Sequence, residues 1–326
     1  MRPYLLKGHE RPLTQVKYNA EGDLLVSCAK NLQPCLWYAD DGRRVGTYEG
    51  HNGAVWSCEF TLDSERLITS SADQTVRIWD LPTGQELHQI RMNEPCRACH
   101  LSVGEQLLVF TTDSFMGSPP QLHLVDLDLQ EFGDRQGSAP KASITAPKGR
   151  ITRVFFTDCN RQLVSSHDGG WVRRWDTETG EMLQEVQVHE DAIQDMQMSP
   201  DGSYVITASL DKTAKLVDLA SLETLKTYKT GRFVQSAAIS PLYDHVLLGG
   251  GQDASQVTTT SAKAGGFEAR FYHKIYAEEF GNVRGHFGPI NTVAFAPDGR
   301  SFTTGGEDGY VRIHHFDMDY FTTRFF

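Results

Sequence analysis

Four groups of residues in this sequence are of types that could do chemistry. Cys96-Arg97-Ala98-Cys99-His100 has the spelling of a haem-attachment or dithiol redox motif. Ser166-His167-Asp168 sets the three side chains of a hydrolase triad side by side. Gly249-Gly250-Gly251 has the open backbone of a phosphate cradle. His9, His51, His286 and the pair His314-His315 are of a type that binds metal ions.

Their setting argues against each reading. The cysteine segment aligns with the strand-like Val55 to Phe60, and alternation along a strand puts Cys96 and Cys99 on opposite faces. Covalent haem attachment also needs export, and no apolar leader opens the chain. Adjacent residues in a strand and turn cannot hold nucleophile, base and orienting acid in triad geometry among themselves. The glycine run lacks a following Gly-Lys-Ser/Thr and a following helix, so it reads as a turn. The isolated histidines fall in separate repeats, and His314 and His315 face opposite sides of one strand. No acid–base pair, nucleophile, metal set or cofactor motif is left. The sequence predicts a protein that is not an enzyme and needs no cofactor.

The elements carrying these residues follow one plan, most complete in Gly50 to Asp80. A Gly-His pair opens it, then an alternating run through Val55, Cys58 and Phe60, a polar turn at Leu62-Asp63-Ser64, a second run at Leu67-Ile68-Thr69, a tight turn at Asp73-Gln74, and a third run ending in Ile78-Trp79-Asp80. Short strands broken by turn residues form an antiparallel meander. One such sheet is marginal alone and needs neighbours. Gly-His recurs at 8–9 and 285–286, with Val188-His189 as a near copy. Taking Trp37, Trp79, Val125, Trp175, Val217 and His314 as equivalent, the gaps are 42, 46, 50, 42 and 97, the last spanning two repeats. A period in the forties with Gly-His and Trp-Asp marks predicts an all-β, seven-bladed WD-repeat β-propeller. Residues 1–326 form a single domain on this reading, with residues 3–7 closing the last blade. The aromatic run Tyr320 to Phe326 also sits where an outer strand belongs, so eight outer-strand candidates exist for seven blades.

In the complete repeat His51, Ser71, Asp73 and Trp79 can form a hydrogen-bonded chain from hydroxyl to carboxylate to imidazole to indole. Pro34 predicts a bulge in the third strand of the first repeat, because proline cannot donate to the ladder. Blade 3 carries the Gly117-Ser118-Pro119-Pro120 loop and a polar linker from Gly133 to Pro147. The formal net charge is −11, with no basic run, which excludes direct sequence-specific nucleic-acid binding as the main activity. Six cysteines, mostly within predicted strands, suit reduced buried thiols. No apolar run approaches the ~20 residues of a membrane span, and a soluble, cytoplasmic protein is expected.

From blade 6 onward the residues are specific enough to carry a family likeness. Gly249-Gly250-Gly251-Gln252, Val257-Thr258-Thr259-Thr260-Ser261, Phe267-Glu268-Ala269-Arg270-Phe271, Gly285 to Asn291 and Gly305 to Ile313 resemble subunit i of eukaryotic translation initiation factor 3, as do Leu5 to Arg11, Gly50-His51 and Gly53 to Trp56. The resemblance covers the whole chain. It implies a non-catalytic scaffold subunit that promotes recruitment of initiator methionyl-tRNA and mRNA to the small ribosomal subunit, and scanning. It also implies partners: a C-terminal helical segment of subunit b and an N-terminal segment of subunit g, with the ribosomal subunit contacted indirectly. The Pro119-Pro120 loop and the short aromatic C-terminus depart from that family's pattern.

Interface energy concentrates in aromatic and arginine anchors. The partner-binding surface is therefore placed around blades 5 and 6, with Asp218, Tyr228, Phe267, Arg270, Tyr272 and Tyr276 as contacts; the competing reading packs these aromatics between blades. The alternative function is a WD-repeat signalling scaffold that binds a receptor or kinase and is phosphorylated around 258–261. Co-purifying partners separate the two.

Overall fold

A computed structural model describes residues 2–128, 139–147, 149–252 and 266–322. Lys148, Asp253, Val257 to Ser261, Gly265, the 133–138 part of the linker and residues 323–326 lie outside the described residues. The chain folds into seven four-stranded antiparallel sheets, and is a seven-bladed β-propeller. Two compact units are distinguished, one comprising residues 1–29, 35–46 and 194–326, the other residues 30–34 and 47–193. The first takes in nearly all of blades 1, 5, 6 and 7; the second takes in blades 2, 3 and 4.

The complete repeat shows why the residues fold this way. Val55–Phe60, Arg66–Ser71, Thr75–Asp80 and Glu86–Arg91 pair in order. Their β-branched and aromatic residues suit a pleated surface packed on both sides. The second strand is buried along Leu67 to Ser71, while the outer strand is mostly part-exposed. Blades pack face to face through apolar clusters. In the first unit, Leu13, Val16, Leu25 and Trp37 of blade 1 meet Leu6, Val311 and Ile313 of blade 7; Ile206, Leu216 and Tyr228 of blade 5 meet Val246, Leu248 and Tyr272 of blade 6. In the second unit Phe110 and Val125 of blade 3 meet Ile68 and Ile78 of blade 2. Each fully buried side chain of this size contributes about 1.5–3 kcal/mol.

One irregularity recurs. The pairing of first and second strands slips at Leu13/Gln15, Val55/Ser57, Cys96/Cys99, Ile151/Arg153, Val234/Ser236 and Ile290/Thr292. An extra residue on one strand shifts the side-chain alternation. Cys96 and Cys99 therefore do not point apart, as simple alternation predicts; both are buried in the same cluster, as free thiols. Burial holds the Cys99 thiol up to about 12, so neither behaves as a ready thiolate. Five cysteines are buried and Cys159, in a turn, is exposed.

Pro34 produces no bulge. The third strand of blade 1 simply begins after it, at Cys35–Tyr38, and pairs with Leu24–Ala29 without a slip. The run Gly249-Gly250-Gly251 is not a turn but the end of the strand His245–Gly251. A Cβ on Gly250 would meet the Phe233 carbonyl oxygen at 2.0 Å, and one on Gly249 the Val293 side chain at 2.7 Å. These glycines answer to crowding by neighbouring strands.

Both ends of the described chain belong to the first unit. Tyr4–Lys7 pairs antiparallel with Tyr310–His315 and is the fourth strand of blade 7. Among the described residues after His315 there is no strand; Met318–Thr322 is a short helix.

Candidate partner-docking site

The histidine, hydroxyl and indole side chains singled out in the sequence meet inside single blades. In blade 2, His51 Nε2 lies 2.7 Å from Thr69 Oγ1, and Trp79 Nε1 donates to the same oxygen at 2.8 Å. His51 Nδ1 lies 2.8 Å from Asp73 Oδ2, which also accepts from the Asn52 N–H. The bridging hydroxyl is Thr69 rather than Ser71. On this strand Leu67 faces Trp79 across the ladder, and only Thr69, two positions on and on the same face, reaches the indole. Ser71 Oγ instead accepts from the Asp73 N–H. Burial opposes ionisation of Asp73, yet hydrogen bonds from His51, Thr75 and the Asn52 amide hold its carboxyl well below the usual range.

The spacing is constant. His9, Ser27 and Trp37 in blade 1 repeat the arrangement, with Ser27 Oγ 2.7 Å from the imidazole and 2.8 Å from the indole nitrogen. In blade 7, His286 contacts Thr304 and Asp308. Each of these histidines precedes its hydroxyl by 18 residues, and in blades 1 and 2 the hydroxyl precedes its tryptophan by 10. The double interval was available in the sequence and identifies Ser27 and Thr69 without coordinates, and the first interval alone points to Thr304. In blade 4, Trp175 again donates to a hydroxyl ten residues back, Ser165, and this oxygen bonds His167 Nε2 at 2.9 Å. Ser166 faces Thr152, and Asp168 accepts from the Arg150 N–H. The Ser166-His167-Asp168 letters thus serve three separate contacts. Among the described residues no group of three or more His, Cys, Asp or Glu side chains is placed to hold a metal ion.

The six residues assigned to partner binding fare differently. Tyr272 pairs opposite Val246 as Trp79 does opposite Leu67, so it stands in the tryptophan position of blade 6, buried. It is the repeat mark hidden inside the gap of 97. Tyr228 pairs opposite Ala214 at the inward position that Ile90 holds in blade 2; it is fully buried, and its hydroxyl donates to the Lys274 carbonyl at 2.7 Å. Tyr48 does the same to Leu81 at 3.0 Å. Phe267 is buried over Gly251, where a Cβ would come within 2.7 Å of its ring. These three aromatics are core: Tyr228 and Tyr272 hold inward strand positions and Phe267, just ahead of the strand Glu268–His273, is buried as well. Asp218 accepts from the Ser221 N–H and Oγ, both at 2.8 Å, and so caps its turn as Asp80 and Asp176 cap theirs. Arg270 pairs with Glu268 and Glu279. Only Tyr276 presents a large surface, 61% exposed.

Around Tyr276 lies what periodicity could not show. Two turns of blade 6 carry Leu242 and Tyr243, and Ile275 and Tyr276, all of them exposed. The turns are tied by the Lys274 N–H to the Asp244 carbonyl at 2.6 Å and by the Lys274–Asp244 ion pair at 2.7 Å. Tyr276 rests on the His273 ring, centroids 4.6 Å apart, and Tyr243 stacks on His245 at 5.6 Å. Four exposed apolar side chains thereby sit on two turns tied together at one end of the blade.

A family model described as EIF3I matches residues 1–325. Proteins described as eukaryotic translation initiation factor 3 subunit I are similar along their length. That of Bombyx mori is 46% identical over 326 residues, covering 100% of this chain and 98% of the relative. That of Danio rerio is 47% identical over 322 residues, covering 98% of each. That of Homo sapiens is 46% identical over 325 residues, covering 100% of this chain and 99% of the relative.

Proposed function

Because the chain belongs to the family of eukaryotic translation initiation factor 3 subunit I, and is in kind a subunit of that factor, we propose that it works there by contact and not by catalysis. It is a scaffold that holds sister subunits b and g and so promotes recruitment of initiator methionyl-tRNA and mRNA to the small ribosomal subunit, and scanning. The observation that supports a contact role is the patch formed by Leu242, Tyr243, Ile275 and Tyr276. Its apolar residues come from two turns braced by the Lys274–Asp244 pair, which suits the apolar face of an amphipathic helix. We assign it to the C-terminal helical segment of subunit b.

The test replaces Ile275 and Tyr276 together by alanine. Neither is buried, so folding persists, while affinity for a peptide of the subunit b segment falls by about 2 kcal/mol, roughly thirtyfold. Unchanged affinity rejects the patch. Tyr228 is not a useful probe, since removing a buried ring perturbs the core directly.

A further inference from the structure

We propose that the C-terminal helix Met318–Thr322 is a displaceable strap that covers the blade 7 side of this docking patch and competes with the incoming segment. The proposal rests on the reading of the blade 6 turns as the docking surface. Its ground is the way the helix is held. Tyr320 stacks on Phe316 with centroids 3.8 Å apart and planes 11° from parallel, and its hydroxyl lies 2.6 Å from His245 Nδ1. Tyr320 also meets Tyr243 edge-on at 5.7 Å, and Phe321 approaches the same Tyr243 at 6.2 Å. Tyr243 is therefore shared: it belongs to the exposed patch and it is what the strap leans on.

Tyr320 and Phe321 also rest against the aromatic cluster around Phe271, Phe302 and Phe316. The helix has five residues, none of them buried, and no basic residue in its last turn. Met318 is 74% exposed. A helix so short is marginal by itself and depends on those side-chain contacts. Beneath it lie His245 and Phe280, with centroids 4.6 Å apart, and Phe271 beside Phe280. Lifting the strap would uncover these rings next to Leu242, Ile275 and Tyr276, extending the apolar patch into an aromatic groove. A partner segment can gain that groove only by displacing Tyr320. Apparent affinity is then the intrinsic affinity reduced by the fraction of molecules with the strap open.

The experiment measures binding of a fluorescent peptide of the subunit b C-terminal segment to the full chain and three variants. Tyr320→Ala and a chain ended after Asp317 are expected to tighten binding at least about threefold, and by about tenfold if the strap is closed nine times in ten. Tyr276→Ala is expected to weaken it. In the unaltered protein, saturating peptide should speed hydrogen exchange at the 318–322 amides. If Tyr276→Ala weakens binding while both strap variants bind unchanged or more weakly, the strap is rejected and the docking site stands. If Tyr276→Ala is silent, the docking reading fails and takes the strap with it. Should either strap variant fold poorly, the exchange measurement decides: 318–322 amides that stay protected, or become more so, under bound peptide overturn the proposal.

Discussion

At the scale of single residues, one hydroxyl in each complete network serves two partners. Thr69 meets both the His51 imidazole and the Trp79 indole in a buried setting. Removing it strands two buried ring nitrogens, and an unsatisfied buried polar group costs about 1–3 kcal/mol. Thr69→Ala should therefore destabilise by at least that, and Ser71→Ala by clearly less; chemical denaturation of the two variants side by side checks the order. Equal losses would return Ser71 to the network. Sequence placed His51, Asp73 and Trp79 correctly on one blade because their types and order mark it. It misplaced the hydroxyl because Ser and Thr are interchangeable by type and positions 69 and 71 share one face of the strand; what separates them is distance along the strand, which brings Thr69 and not Ser71 to the indole. Tyr272 was misread for a similar reason: no tryptophan marks its blade, and an aromatic without its usual spelling looks like a surface anchor until Val246 is seen opposite it.

At the scale of elements, the strands were legible and their faults were not. Alternating apolar runs and turn residues give the four strands of each sheet, but the slip in the first strand cannot be read from alternation, since it is a departure from it. That slip brings Cys96 and Cys99 into one cluster. The exposed set Leu242, Tyr243, Ile275 and Tyr276 was equally hidden, being assembled from turns 33 residues apart. The strand Tyr4–Lys7 offers a direct check at this scale. Leu6 is 2% exposed, pairs opposite Val311 and packs with Trp37 and Ile313. Leu6→Ala should cost about 2–5 kcal/mol and loosen the outer edge of blade 7, with faster exchange at the amides of Tyr310 to His315. If stability is lost with that edge still protected, the strand is not anchored through Leu6.

At the scale of the whole molecule, buried histidines set the response to acid. Burial pushes His123 and His245 down to about 4, and His167 and His314 to about 3. A repulsive charge adds to the effect for His167 (Arg173), for His245 (His273) and for His314 (His286). The unfolded chain protonates such groups near 6.5 while the folded chain does not, so the unfolded state binds more protons between these values. Stability should be flat above pH 7, fall from about 6.5 towards 4, and fall further below 4 as Asp73 and Asp308, held low despite burial by His51 and His286, lose their ionised state. Unfolding midpoints in urea at pH 7.5, 6, 5 and 4 test the order. Stability unchanged from pH 7.5 to 5 would contradict the assignment of neutral buried imidazoles.

The pairing of Tyr4–Lys7 with Tyr310–His315 has a consequence in time. Residues 4–7 are translated some three hundred residues before their ladder partner. Until then Leu6 has no sheet to enter, and an apolar edge waits in the open for the length of synthesis. A molecule that belongs to the apparatus for starting translation is thus unable to finish its own folding before its last blade has been made.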